Sequence, residues 1–480
     1  MGTVHVMGDT TDAVVVGAGP NGLAAAVAIA QAGFSVTVLE AVDQIGGGTR
    51  TEELLVPGVL HDVCSAVHPF GVASPFLAEL PLQDHGLSWC WPEVDLAHPL
   101  DDGRTGVLLR SLDDTVAGMG ADGKAWRRTF GRLTSGFGEI ADDLMQPIQH
   151  IPQHPIRLVN FGLKALQPAT VLARRWKQDE VRGLFAGVAA HAVHPLQKPT
   201  TAAVGLMLIA SGHHVGWPVA QGGSRSITDA MASLLRSLGG TIETGVRVRS
   251  LADLPPAKVT LFDTSPRAVM AIAGDVLPAR VRRAYTRYRH GPGAFKVDLV
   301  VEGGVPWISE PARRAGTVHV GGTLEEVAAS ERDVHAGRMP EQPFVLVSQQ
   351  YLADPSRSAG QLNPIWAYAH VPHGYTGDAT EAVLSQLERF APGVRDQVVA
   401  MKTTGPAQLA RYNANYVGGD IATGANDPWQ LIIRPRLAVD PYATGIPGMF
   451  ICSAATPPGG GVHGMCGANA AQSALKVLRR

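Results

Sequence analysis

Residues 13–40 decide the fold, and they read AVVVGAGPNGLAAAVAIAQAGFSVTVLE. A short apolar run is followed by a glycine-rich turn, an alanine-rich helical segment, and a second apolar run that ends in Glu40. This order predicts a strand–helix–strand unit with the G-x-G-x-x-G fingerprint of dinucleotide-binding folds at Gly17, Gly19 and Gly22. The alternative is an ordinary strand–helix–strand core unit, which is less favoured because the terminal acid also lies where the fingerprint requires it.

Each glycine of this turn has its own expected role. Gly17 lets the chain turn sharply off the strand, Gly19 lets a pyrophosphate approach the backbone, and Gly22 lets the helix pack closely. The helix N-terminus offers unpaired N–H groups and a positive dipole end to the phosphates. Glu40 is expected to accept hydrogen bonds from a ribose and to repel a 2′-phosphate, which favours FAD or NAD over NADP. The turn residues expected to contact the cofactor are Gly17, Ala18, Gly19, Pro20, Asn21 and Gly22.

The composition is that of an ordinary globular protein of more than one domain. Of its 480 residues 45% are hydrophobic and 17% are charged, and this length exceeds what a single compact core holds. The formal net charge of −2 gives no reason to expect a nucleic-acid partner. No membrane-spanning run or signal peptide is visible, so we expect a cytoplasmic protein, with peripheral contact with a membrane left open. The oligomeric state is not predicted.

Cysteine and histidine spacing argues against a metal site. The pairs His191/His194 and His213/His214 have no acidic or cysteine residue at metal-ligating spacing. The cysteines contain no C-x-x-C pair, which also argues against a redox dithiol, and they are expected to be buried or incidental thiols. They are Cys64, Cys90, Cys452 and Cys466.

Two further glycine-rich stretches suit a large ligand. Residues 41–51, AVDQIGGGTRT, place three glycines before Arg50, which could pair with a phosphate; the alternative is a flexible surface loop. Residues 448–478, GMFICSAATPPGGGVHGMCGANAAQSALKVL, predict a strand, a glycine-rich turn, and a helix from near Val462. His463 in that turn could approach a flavin or a substrate, or be satisfied by the backbone. Together with the first turn, these stretches favour one large cofactor that bridges both ends of the chain.

The rest of the chain alternates between helical and mixed character. Residues 113–211 have helical spacing, and the uncharged run 199–223 predicts a buried core helix or, alternatively, the wall of an apolar cavity. A hairpin is expected at 101–111, strands around Val246 and Val248, charged loops at 325–341, and a helix at 379–390. The segment from Phe295 alternates strictly and predicts a strand with one wet face.

Four motifs carry a family resemblance. The chain resembles the FAD-dependent phytoene dehydrogenase-like family, closest to its pyridine nucleotide-disulphide oxidoreductase domain-containing protein 2 branch. The motifs are GAGPNG (17–22) with Glu40, IGGGTRT (45–51), GGSRSITDAMASLLRSLGGTIETGVRVRSL (222–251) and FICSAATPPGGGVHGMCG (450–467).

The resemblance implies an α/β fold with a Rossmann-type FAD-binding domain of the glutathione reductase/amine oxidase kind. That domain is built from the discontinuous segments 1–75, 220–290 and 430–480. An inserted α+β substrate domain takes residues 76–219 and 291–429.

The resemblance also implies the remaining cofactor contacts. Val248 would meet the adenine through its backbone. Gly48 stands where the family commonly has an arginine, and Arg50 is the expected replacement. Further contacts are expected from Gly47, Gly48, Thr49, Arg50, Ser453, Gly460, Gly461, Val462, His463 and Met465.

A bound flavin would carry the redox chemistry itself, so no catalytic triad is required and none is visible. Lys296 is the one candidate catalytic side chain, because in the related amine oxidases a lysine after a similar strand lies near the flavin. The alternative is a solvated strand lysine. The expected activity is hydride removal from, or isomerisation of, an apolar isoprenoid- or lipid-like molecule. An amine oxidase-like flavoprotein that uses oxygen, and a flavin-binding scaffold with vestigial activity, are the alternatives.

Overall fold

The computed structural model describes residues 11–147 and 150–480, whose strands form two large sheets and two short pairs. The strands are β1 (Thr11–Val16), β2 (Val36–Leu39), β3 (Thr51–Glu52), β4 (His61–Asp62), β5 (Trp89–Cys90), β6 (Val94–Pro99), β7 (Thr105–Leu108), β8 (Val219–Ala220), β9 (Thr241–Glu243), β10 (Ala257–Phe262), β11 (Gly293–Glu302), β12 (Ala315–Val320), β13 (Val345–Ser348), β14 (Leu362–Val371), β15 (Val398–Thr404) and β16 (Met449–Ile451).

The described residues form twenty α-helices, and some of them cover the faces of both large sheets. They are α1 (Pro20–Gln31), α2 (Pro69–Val72), α3 (Pro75–Glu79), α4 (Leu112–Gly118), α5 (Gly123–Ser135), α6 (Phe137–Leu144), α7 (Pro155–Ala165), α8 (Ala169–Leu172), α9 (Asp179–Ala189), α10 (Thr201–Val215), α11 (Arg225–Ser237), α12 (Pro266–Ala273), α13 (Ala279–Thr286), α14 (Glu310–Arg314), α15 (Leu324–His335), α16 (Thr380–Phe390), α17 (Val394–Gln397), α18 (Pro406–Tyr412), α19 (Pro428–Ile432) and α20 (Met465–Leu478).

The first sheet is parallel, in the order β16-β10-β1-β2-β9. Helices α1, α11 and α20 share a buried cluster on one face, and α12 and α13 pack on the other. Parallel strands with both faces covered are typical of doubly wound dinucleotide-binding folds. The predicted α/β, Rossmann-type fold built from separated segments is therefore confirmed, while the predicted domain boundaries stay a prediction.

Helices α1 and α20 approach each other closely enough for their backbones to touch. A Cβ atom added to Gly467 in α20 would lie 1.8 Å from the carbonyl oxygen of Asn21 in α1. A Cβ added to Gly22 would lie 2.0 Å from the carbonyl oxygen of Gly17. Both contacts exclude a side chain: Gly467 allows α20 to pack against α1, and Gly22 allows α1 to fold closely onto the turn at Gly17.

The second sheet is mixed, in the order β15-β11-β14-β13-β12-β6-β7. Residues of α16 pack on one face, and the helical layer that includes α9 and α10 packs on the other. The predicted hairpin is formed by β6 and β7, and the predicted buried helix in 199–223 is α10. The second layer thus places helices opposite the strands that carry Thr317, Trp366 and Tyr368.

Some local expectations were wrong. The strand from Phe295 has no wet face: β11 lies between β14 and β15, and both its faces are covered, so Lys296 and Asp298 are buried. Residues 325–341 are mostly helix α15, not loop, because Thr323 begins it with a capping box that accepts the Glu326 N–H.

Two helix and strand boundaries also differ. The residues around Val246 and Val248 form a loop and not a strand. Gly245 has φ +73°, so the chain turns there and does not continue β9. The last helix begins at Met465, not near Val462, because Gly464 has φ +68° and cannot continue a right-handed helix. In the described ranges, no helix combines the length and the apolar character that crossing a membrane requires.

Candidate functional site

One cavity of about 980 Å³ connects the two sheets. Glycines from all three glycine-rich stretches line it, and so do side chains from the second sheet and from the helical layer above that sheet. Its volume is at the upper end of the range for cofactor and ligand sites. The glycines that line it are Gly17, Gly19, Gly47, Gly48, Gly71, Gly162, Gly460 and Gly461.

The first turn faces this cavity with its backbone. Gly17, Gly19, Pro20 and Asn21 line it, and α1 begins at Pro20. Gly17 has φ +107°, and a Cβ on Gly19 would lie 2.7 Å from Asp263 Oδ2. The tight turn therefore requires glycine for steric reasons within the protein itself, before any ligand is considered.

Ala18 and Gly22 lie behind this lining and hold the turn. The N–H of Ala18 donates to Oε2 of Glu40 over 2.9 Å, and the N–H of Gly22 donates to Oδ2 of Asp263 over 2.9 Å. Glu40 itself lines the cavity, and its Oε1 also accepts the N–H of Val42. The acid thus fixes the turn, and its expected contact with a ribose stays a prediction.

Asp263 is a site residue that the sequence analysis missed. It follows β10 at the carboxyl edge of the parallel sheet and lines the cavity. Burial and the nearby charge of Glu40 raise its pKa to about 7, against the lowering effect of the Gly22 and Gly19 N–H groups. Its position directly after a buried strand was the available signal, because ligands bind at the carboxyl ends of such strands.

The second glycine stretch joins the first. Gly47 and Gly48 line the cavity, whereas Thr49 does not: its hydroxyl donates to the Gly46 carbonyl over 2.8 Å. Arg50 lines the cavity, but its Nη2 donates to the carbonyl of Gln44 over 2.8 Å. The same nitrogen lies 3.8 Å from Glu40, so the guanidinium is already held by the protein.

The C-terminal turn also lines the cavity. Ser453, Gly460, Gly461, Val462 and His463 all face the cavity. Burial lowers the pKa of His463 to about 4, so its ring is neutral at pH 7.

Met465 lies behind this turn in the core, and its N–H donates to Nδ1 of His463 over 3.1 Å. Where an adenine contact is expected, Val246, Arg247 and Val248 line the cavity together with Ala268 and Ile272.

The far end of the cavity is mostly apolar. Strands β12, β13 and β14 contribute Thr317, Leu346, Trp366 and Tyr368. Helices α7 and α10 face them with Leu158, Phe161, Ala165, Ala203, Val204, Met207 and Leu208. The uncharged run 199–223 therefore forms both a buried helix and a cavity wall.

Lys296 does not line the cavity. Its side chain is 4% exposed, its Nζ is ion-paired with Asp298, and it lies 5.6 Å from the ring centroid of Trp366. It is thus one layer behind the lining, and its catalytic role stays a prediction.

A buried group of histidines at the far end was also missed. His191 lines the cavity, and its Nε2 lies 3.2 Å from Nε2 of His319 on β12. On the same face, His370 and Glu331 share a hydrogen bond of 2.6 Å. Burial lowers the pKa of His191 to about 3, so its ring is neutral at pH 7.

Neutral imidazoles can pair only if one ring donates and the other accepts. These residues come from segments far apart in sequence, and no spacing rule could have joined them. Among the described residues, no group of three or more histidine, cysteine or acidic side chains has an arrangement that could hold a metal ion.

Comparisons with known proteins agree with this architecture. A family model for an NAD(P)-binding Rossmann-like domain matches residues 15–80. The pyridine nucleotide-disulfide oxidoreductase domain-containing protein 2 of Mus musculus is 24% identical, over 98% of this chain and 94% of that protein.

Two solved structures show the fold. Putrescine oxidase bound to putrescine has a TM-score of 0.62 at 18% identity, with 98% of this chain and 99% of that chain covered. The fatty acid isomerase from P. acnes that produces CLA has a TM-score of 0.56 at 14% identity, with 97% and 98% covered. The chain therefore resembles this oxidoreductase branch along nearly its whole length and has the fold of the two enzymes, as its motifs predicted.

Proposed function

We propose that this protein is an FAD-dependent oxidoreductase that removes a hydride from, or isomerises, an apolar isoprenoid- or lipid-like substrate. The observation that carries the proposal is the cavity of about 980 Å³, lined by glycine backbone at one end and by apolar side chains at the other. A groove lined by backbone fits a long, phosphate-containing cofactor, and a cavity lined by apolar side chains fits an apolar substrate.

The residues present fit FAD. Gly19 and the N-terminus of α1 would hold the pyrophosphate, Glu40 the ribose, and Val248 the adenine. The turn from Gly460 to His463 would border the flavin. The negative charge of Glu40 disfavours the 2′-phosphate of NADP. When bound, the flavin would accept the hydride.

The chain's own side chains would bind and orient the substrate and exclude water. Phe161, Met207 and Trp366 provide apolar contacts around a substrate carbon chain, and desolvation of the site strengthens electrostatic effects inside it. His191 would orient a polar group at one end of an otherwise apolar molecule, by donating or accepting a hydrogen bond as a neutral ring.

Cofactor content tests the proposal directly. We expect the purified protein to be yellow and to release FAD on denaturation. In Gly19→Val the side chain enters the space beside Asp263 Oδ2 and blocks the phosphate approach, so at least about nine-tenths of the FAD should be lost. The matched control is Gly118→Ala, whose added Cβ meets open space. A colourless wild-type protein that binds no FAD on reconstitution would contradict the proposal.

The fold shared with putrescine oxidase keeps an amine oxidase-like reaction as a second candidate. It predicts release of hydrogen peroxide with an amine, and slower reoxidation of the flavin in Lys296→Met. Unchanged reoxidation in that variant would remove Lys296 from the mechanism. Tight FAD that no apolar substrate or amine reduces would favour the scaffold alternative.

A further inference from the structure

A segment beside the cavity carries more exposed large apolar side chains than any other segment of similar length in the described part of the chain. Of the seventeen large hydrophobic residues that are exposed there, six lie within residues 151–171. Ile151 is 89% exposed and Ile156 is 78% exposed. The six are Ile151, Ile156, Val159, Leu163, Leu166 and Val171. A cluster of this kind marks a contact surface rather than ordinary surface composition.

Helix α7 carries three of these six residues and has two apolar faces. Leu158, Phe161 and Ala165 line the cavity from inside. Ile156, Val159 and Leu163 are exposed at the three- and four-residue spacing of one helix face. Because the same helix faces both the cavity and the outside, it is the wall through which an apolar molecule would have the shortest route.

Basic residues lie on α7 and in the segment that follows it. Residues 144–178 contain five arginines and lysines and no aspartate or glutamate, in a chain with a formal net charge of −2. Arg174, Arg175 and Lys177 are exposed, and no carboxylate of the described residues lies within salt-bridge distance of them. Arg157 is paired with Glu139, and Lys164 donates to the carbonyl of Thr129.

The exposed apolar residues of α7 and the nearby basic residues together favour one binding partner, an anionic membrane surface. Exposed apolar side chains beside basic residues match a membrane interface, where the apolar groups enter the acyl boundary and the cations meet anionic headgroups. A second copy of this chain would instead bring two basic surfaces together, which electrostatic repulsion opposes.

We propose that α7 docks this protein onto an anionic phospholipid surface, with Ile156, Val159 and Leu163 inserted at the acyl boundary. The apolar substrate then passes between the bilayer and the cavity past this helix. The second statement rests on the proposed oxidoreductase function, whereas the docking itself does not.

Vesicle co-sedimentation of the full-length purified protein tests the docking. We expect binding to phosphatidylcholine vesicles that contain phosphatidylglycerol, weaker binding to pure phosphatidylcholine, and loss of binding at high salt. The triple variant Ile156→Gln, Val159→Gln, Leu163→Gln should bind at least about tenfold more weakly. The matched control removes three exposed apolar side chains elsewhere, Leu238→Gln, Val276→Gln and Val399→Gln, and should bind as the wild type does.

Charge reversal separates the two contributions. Arg174→Glu with Arg175→Glu should abolish the preference for phosphatidylglycerol, while the fold is retained because both side chains are exposed. Wild-type protein that fails to bind these vesicles, or a triple variant that binds them equally well, would overturn the docking. A dimer in gel filtration that the triple variant dissociates would assign the surface to a second copy and overturn it too.

Flavin absorbance distinguishes the two proposals. The visible spectrum should be the same in the wild type and in every surface variant, since none of the substituted residues contacts the expected cofactor groove. Vesicle binding without any flavin would contradict the proposed function alone. Flavin without vesicle binding would contradict the docking alone.

Discussion

The two ends of the cavity are built on different principles. At the end proposed for the cofactor, called the cofactor end below, Gly17, Gly19 and Gly460 present backbone, and each belongs to a short continuous stretch. At the end proposed for the substrate, called the substrate end below, His191, Thr317 and Trp366 present side chains that come from separate elements. A site made of backbone needs particular residues at fixed local spacing, whereas a site made of side chains needs a particular topology. Only the first kind can be recognised within one sequence.

The largest expected effect lies in the helix contact that supports the cofactor end. In Gly467→Ala the added Cβ would lie 1.8 Å from the carbonyl oxygen of Asn21, so α1 and α20 must move apart. We expect the free energy of unfolding to fall by about 4 kcal/mol or more, with loss of the cofactor. Thermal unfolding and flavin absorbance measure both effects. The control Gly138→Ala adds a Cβ in open space and should stabilise by about 0.5–1 kcal/mol. Equal stability of the two variants would show that the backbone contact does not support the site.

The contrast between the two ends also explains what the sequence could predict. The G-x-G-x-x-G turn and the parallel sheet follow from local steric requirements, and they were predictable. The expected contact of Glu40 with a ribose stays a prediction, and its hydrogen bond with the Ala18 N–H was not predicted. Asp263 was missed, although it completes the turn, because its partner Gly22 is distant in sequence. The pairing of His191 with His319 depends on how the turn after α9 meets β12, and no local rule contains that information.

The burial of β11 was predicted wrongly because it, too, depends on elements that are distant in sequence. Strict alternation around Lys296 is the pattern of a half-exposed strand, yet β11 is a central strand covered on both faces. Lys296 and Asp298 form a buried ion pair, whereas in an isolated strand both charged groups would be exposed to solvent. Sequence periodicity reports which residues share a face, but it does not report what covers that face.

A second prediction concerns pH at the cofactor end. The pKa of Asp263 is raised to about 7 in the folded protein, above its unfolded value near 4, so the folded state binds more protons between these pH values. The free energy of unfolding of the cofactor-free protein should therefore fall as pH rises from about 4 to about 7, by up to about 4 kcal/mol. In Asp263→Asn this contribution should be absent. Chemical denaturation of both proteins across this range gives the difference, and parallel curves would contradict the assignment.

The smallest expected effect lies at the substrate end. In His191→Ala the Nε2 of buried His319 loses its partner, and we expect a stability loss of about 1–2 kcal/mol. Flavin content should not change, because His191 lies away from the glycine turns. The control His214→Ala removes a histidine from the end of α10 that is exposed, and its stability should change by less than about 0.5 kcal/mol. A loss of flavin in His191→Ala would remove the distinction between the two ends.

The contact between Asn21 and Gly467 has a consequence for how the protein is made. Synthesis runs from α1 through both large sheets and the helical layer before α20 leaves the ribosome. The C-terminal turn that lines the cavity, from Ser453 to His463, is therefore missing throughout most of translation, and a nascent chain lacks that part of the lining. We therefore expect the proposed cofactor to bind late, after this turn and α20 have been made, and the rate of binding would report when α20 packs against α1.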